Sequence, residues 1–178
     1  MKATGIVRRI DDLGRVVIPK EIRRTMRIRE GDPLEIFTDR DGEVIFKKYS
    51  PIGELGDFAA QICDSLHRST DAIAAVCDRD SIIAVSGASK RDFIDKRVSP
   101  ALERVMESRG SVRYDGTEPM HVIDGDERYY VSVASSILSE GDILGCVIFV
   151  SQNASAGSDI EFKLAQTVAS FLGKQMES

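Results

Sequence analysis

The sequence predicts an α+β chain in two parts, a small β-rich head built from two hairpins around one short helix and a larger body in which helices flank an antiparallel sheet. Three observations carry that prediction. The first fifty residues alternate β-branched runs with Asp/Gly turns and hold one short cationic helical pattern. Residues 47–53 then change charge and add Pro51 and Gly53, which reads as a boundary. Beyond it the order is helix, two strands, helix, three strands, helix. The expected domains are residues 1–50 for the head, 51–55 for a linker and 56–178 for the body.

In the head, residues 4–10 read as a strand, 11–14 (Asp-Asp-Leu-Gly) as a turn and 15–18 as a second strand, giving a first hairpin. Pro19 suits the opening turn of a helix, where its missing N–H has no partner anyway, and residues 20–28 supply that helix before Gly31 ends it. Lys20, Arg23, Arg24 and Arg27 follow one another at spacings that place them along one helix side, with Ile22 and Met26 on the other. A second hairpin joins residues 33–38 to 43–48 through a loop in which Gly42 can take the positive φ required there. Three aromatics, Phe37, Phe46 and Tyr49, and one short helix bury too little apolar surface to offset chain entropy, so the head is expected to be an obligate dimer.

In the body, Leu55, Ala59, Ile62 and Leu66 recur at helical spacing, and residues 72–77 and 81–85 read as strands. Residues 100–108, preceded by Ser99, read as an inserted helix, followed by strands at 111–114, 129–137 and 143–151. Ser158 and Glu161 form a capping-box pattern ahead of Phe162, Ala165, Ala169, Leu172 and Met176, a last amphipathic helix. Short connections favour antiparallel pairing.

Charge is divided unevenly along the chain. The net charge is −5 overall, yet residues 1–29 hold nine Lys/Arg against three Asp/Glu, a net of +6, while residues 51–178 hold twelve against twenty, a net of −8. A basic head on an acidic body fits a head that meets a polyanion and a body repelled from it. Cations gathered on one helix face repel each other unless something negative is near, and a phosphate backbone supplies that, so the head reads as a DNA-contacting surface. The longest apolar stretch, residues 143–150, is too short to span a bilayer, and the start MKATGIVRRIDD has no apolar signal core, so no membrane partner and a cytoplasmic location are expected.

Catalytic and metal-binding patterns are not found. Cys63, Cys77 and Cys146 are odd in number and scattered without a CxxC pair, which suggests neither a disulfide framework nor a zinc site, and buried structural thiols are expected. No P-loop, GxGxxG, HExxH or nucleophile elbow occurs, and His67 and His121 are far apart in sequence. No catalytic residue, metal site or resident cofactor is therefore assigned.

The run TGIVRRIDDLGRVVIPKEIRRTMRIREGDPLEIF resembles the swapped-hairpin DNA-binding domain of AbrB-type transition-state regulators. That resemblance implies hairpins of two subunits interleaved into one β-structure, with double-stranded DNA contacted by Arg8, Arg15, Arg23 and Arg24, and with Arg9 and Lys20 as further candidates. The layout of the body resembles a GAF domain, which implies a small-molecule ligand of unidentified chemistry between the sheet and its crossing segments. The Asn-Lys-Phe-Asp-Glu signature of cyclic-nucleotide binders is missing, Asn153 being the only asparagine, and so is a bilin-type Cys-His pair. The loop 87–97, with Lys90, Arg91, Lys96 and Arg97, is a candidate cover for an anionic ligand or a solvated charged loop.

The combination of an AbrB-type head with a GAF-like tail resembles a family of sporulation regulators. It implies a DNA-binding regulator that activates or represses, paired through its heads and assembled into a homotetramer through the terminal-helix seams of its bodies. Two other readings share parts of the pattern. Antitoxins use the same head fold, but with an extended, disordered tail, whereas this tail is patterned as a packed domain. One GAF-like family reduces free methionine sulfoxide with clustered cysteines, but these three cysteines fall in apolar runs that disfavour a thiolate.

Overall fold

In the computed structural model, which describes residues 4–177, the chain separates into two units, Met1–Tyr49 and Ser50–Ser178. Residues 1–3 of the expected head and residue 178 of the expected body lie outside the described residues. In the first unit the Asp11 carboxylate organises the first turn: its Oδ1 accepts the backbone N–H of Leu13 at 3.0 Å and of Arg15 at 2.8 Å, and Gly14 takes a φ of 76°. Asp11 also donates its own N–H to the Arg15 carbonyl at 3.0 Å. Residues 4–10 and 15–18, expected as paired strands, join no ladder among the described residues. Their apolar side chains remain in solvent, Val7 at 87% and Val17 at 69%, because the small two-stranded sheet of one head does not cover them.

Helix α1 spans Lys20–Met26. Pro19 is its N-cap rather than its first residue, and it ends earlier than Gly31 suggested: Arg27 adopts the left-handed conformation (φ 54°) and closes the helix with its N–H on the carbonyls of Arg23 and Arg24. The expected fourth cation of the helix face is therefore its C-cap, half-buried, and its carbonyl accepts Lys48 Nζ at 2.9 Å. Met26, assigned to the covered side, is 54% exposed. Strands β1 (Leu34–Thr38) and β2 (Val44–Lys48) pair antiparallel with Leu34 opposite Lys48 and Thr38 opposite Val44, as the second hairpin requires.

In the second unit, residues 51–55 do not behave as a linker. Ile52–Leu55 forms a 3₁₀ turn, and Ile52 is fully buried in the body's core, since an isoleucine side chain gains more from burial than from a mobile tether. Helix α2 (Gly56–Thr70) leads to strands β3 (Ile73–Cys77) and β4 (Ile82–Ser86). One helical turn, α3 (Lys90–Phe93), was read from sequence as loop; fully buried Phe93 anchors it. Helix α4 (Pro100–Glu107), capped by Ser99 Oγ, precedes β5 (Ser111–Arg113), β6 (Tyr130–Ser139), β7 (Asp142–Ser151) and α5 (Asp159–Gln175).

The five strands of the body form one antiparallel sheet in the order β4-β3-β7-β6-β5. Because side chains alternate along a strand, each strand serves two cores. Ala74, Val76 and Phe149 pack on the side of α2 and α5, while Ala75, Cys77 and Ile148 pack on the side of α3 and α4. The sheet is thus the middle of three layers. Of the seams expected to pair separate bodies, Ala59 and Leu66 along α2 and Ala165, Ala169 and Leu172 along α5 are instead buried against the chain's own sheet, while Leu55, Ile62, Phe162 and Met176 are partly buried against the same core. Gly173 explains how closely α5 approaches: a Cβ there would collide with the Leu138 carbonyl.

Candidate nucleic-acid interface

All six residues assigned from sequence to DNA contact, Arg8, Arg9, Arg15, Lys20, Arg23 and Arg24, are exposed. They come from two elements. Arg8 and Arg9 precede the Asp11 turn and Arg15 follows it, while Lys20, Arg23 and Arg24 lie on α1, at positions that share one helix side.

Two of the arginines are tethered. Arg15 donates Nε–H to Asp11 Oδ2 at 2.8 Å, with both side chains still solvated. The Arg15 backbone N–H and then its guanidinium hold the Asp11 carboxyl below the ordinary aspartate range. Arg23 donates Nε–H to the Ile18 carbonyl at 3.1 Å, which ties the start of α1 to the chain entering it. The sequence offers Arg15 a pair with Asp11 or Asp12 as the alternative to DNA contact, and the structure selects Asp11, four residues away.

The body's chemistry is sparser. Loop 87–97 is pinned rather than free: Phe93 is buried beneath it, Ser81 bridges Arg97, and Arg97 pairs with Asp124 at 3.7 Å. Beside it the Tyr129 hydroxyl donates to Asp92 at 3.2 Å, the Tyr129 and Phe93 rings lie 4.6 Å apart, and Arg128 grips Asp126 through Nε and Nη2. Burial, and then the Asp92 bond, push the Tyr129 hydroxyl up; the Arg128 hydrogen bond holds Asp126 down. All three cysteines are buried, with the Cys63 thiol pushed up to about 12 by burial and Cys77 raised well above its usual value for the same reason. Cys77 and Cys146 are direct neighbours across β3 and β7, but nothing exposes them to a substrate. Among the described residues no group of three or more His, Cys, Asp or Glu is placed to hold a metal ion, and no helix is long and apolar enough to cross a membrane.

Known proteins resemble both parts. Residues 54–177 match the family described as stage V sporulation protein T C-terminal, transcription factor, and residues 7–53 match the family described as antidote-toxin recognition MazE, bacterial antitoxin. The stage V sporulation protein T of Bacillus subtilis (strain 168) is 55% identical over 178 residues, 99% of each chain. The transition state regulatory protein AbrB of the same organism is 63% identical over 51 residues, 29% of this chain and 52% of AbrB. In fold, the body resembles the GAF domain of an Acinetobacter phosphoenolpyruvate-protein phosphotransferase, with a TM-score of 0.56 at 11% identity over 68% of this chain and 81% of that one. The head match alone would suit an antitoxin, but the body is a packed three-layer domain and the likeness to a sporulation protein runs the whole length. The chain belongs to the stage V sporulation protein T family of transcription factors.

Proposed function

We propose that the chain regulates sporulation genes in the cytoplasm of the developing spore by sequence-specific binding to duplex DNA, activating some promoters and repressing others, through paired heads in which Arg8, Arg9, Arg15, Lys20, Arg23 and Arg24 meet the DNA. One observation carries this reading: the same short segment exposes both its cations and its apolar residues, with Val7 at 87%, Ile10 at 72% and Val17 at 69%. Apolar arms of that length are covered at low cost by the same arms of a second copy, and the pairing doubles the cationic array. AbrB, which shares 63% of the matched head residues, is itself described as a transition state regulatory protein.

The body serves this role as a regulatory and assembly domain. Its GAF-like architecture supports the binding of an unidentified small molecule, and the half-buried residues Phe58, Ile62, Leu164 and Val168, with Phe171 at 45% exposure, offer α2 and α5 an outer apolar stripe for a second body. Head pairs joined through body pairs close into a tetramer when the two interfaces join different chains. A transcription factor with buried thiols needs no catalytic residue.

The test is a footprint of the full chain beside Arg23→Ala and Arg8→Ala at two salt concentrations. Four arginines from each of two heads on phosphates give a slope of log K against log salt of about −7, and each variant is expected to weaken binding and flatten that slope by about 2 per dimer. A wild type that protects no duplex in dilute buffer overturns the reading.

A further inference from the structure

The two tethered arginines of the head share a geometry. Each is held by Nε, Arg15 on Asp11 Oδ2 and Arg23 on the Ile18 carbonyl. An Nε contact fixes the plane of the guanidinium, and the N–H groups of the two Nη atoms, which make no hydrogen bond or ion pair among the described residues, stay open for a bidentate acceptor such as a phosphate or a guanine edge. The Ile18 acceptor is backbone, which any side chain at that position supplies. Asp11 is different, because a carboxylate beside a DNA-contacting surface works against long-range attraction to phosphate and its presence calls for a local gain.

The structure supplies one. Asp11 divides its oxygens: Oδ1 accepts two backbone N–H groups and shapes the turn, while Oδ2 is spent on the Arg15 side chain. The turn needs only the first oxygen. We infer that Asp11 is a positioning residue for DNA recognition, whose second oxygen aims Arg15 so that it meets its DNA acceptor with little ordering left to do. This rests on the DNA-binding reading above. A free arginine must freeze several torsions on contact, whereas Arg15 arrives with its Nη edge already presented, so the gain falls on the specific site rather than on DNA in general.

Asparagine separates the two oxygens. Asp11→Asn keeps a carbonyl for the two backbone N–H groups and replaces the partner of Arg15 Nε with an amide N–H, which cannot accept. The experiment is a double-mutant cycle on the full chain, with wild type, Asp11→Asn, Arg15→Ala and the double variant titrated against the footprinted duplex and an unrelated duplex of equal length. Asp11→Asn is expected to weaken the specific complex about fivefold although it makes each head more positive, to bind the unrelated duplex as tightly or more tightly, and to cause no weakening once Arg15 is alanine. Asp11→Ser, whose single hydroxyl oxygen can accept the N–H groups of the turn and leaves no second oxygen for Arg15 Nε, is expected to reproduce the loss, and it keeps the test decisive if Asp11→Asn impairs folding. Specific binding by Asp11→Asn equal to or tighter than wild type overturns the inference, as does a loss of the same size with and without Arg15, which would assign Asp11 to the turn alone. A wild type that binds neither duplex overturns the DNA-binding reading and the inference together.

Discussion

Asp11 and Cys63 show how environment decides what a side chain can do. Asp11 is exposed, and the Arg15 donors hold its carboxyl below the ordinary aspartate range; Cys63 is buried, its thiol pushed up to about 12, so a thiolate is scarce at neutral pH. The expected outcome is that none of the three cysteines reacts with a thiol reagent in the native chain at pH 8, while all three react in denaturant; a fast pair in the native state would restore the sulfoxide-reductase reading. Asp126 gives a pH prediction. Its folded-state pKa is lowered chiefly by the Arg128 hydrogen bond, so the pair contributes stability that is present above the ordinary aspartate value of 3.8 and lost as the pH falls through the lower folded value. Thermal unfolding of wild type and Asp126→Asn should therefore differ at pH 7 and converge as the pH falls below the folded-state value, with a small gap because the Arg128 side of the pair is largely solvated.

At the level of elements, ends are set by local chemistry and faces by what lies opposite. Helix α5 begins where Ser158 and Glu161 close a reciprocal cap, Ser158 Oγ accepting the Glu161 N–H at 3.1 Å and Glu161 Oε2 accepting the Ser158 N–H at 3.2 Å. Ser158→Ala leaves the Glu161 N–H to water and should lower unfolding free energy by about 1 kcal/mol in a denaturant titration, with an unchanged m-value. Helix α1 ends differently, at a left-handed Arg27 rather than at the glycine four residues later. Only the first has a sequence signature, because a capping box is a residue pattern and an arginine in αL is not.

For the whole molecule, the contrast lies between a body that covers itself and a head that does not. The body buries both faces of its sheet, yet Val7 and Val17 of the head stand in water. If those arms pack on a second copy, the full chain sediments at a dimer mass or a multiple of it, and Val7→Asp raises the concentration at which it dissociates by at least about tenfold, roughly 1.4 kcal/mol. A monomer at micromolar concentration, with Val7→Asp indistinguishable from wild type, would remove the paired-head reading.

Periodicity, turn residues and charge counts were enough to specify the two-part architecture, all five strands of the body, the capping box of α5 and the exposed cations of the head. Each is a local property, encoded within a few residues of where it acts. Three features came only from the folded chain: the burial of Ile52 within an expected linker, the use of the α2 and α5 seams in the chain's own core, and the division of the Asp11 carboxylate between a turn and an arginine. They depend on which surfaces come to lie opposite one another, and an apolar stripe or a carboxylate carries no mark of its partner until the chain has closed around it.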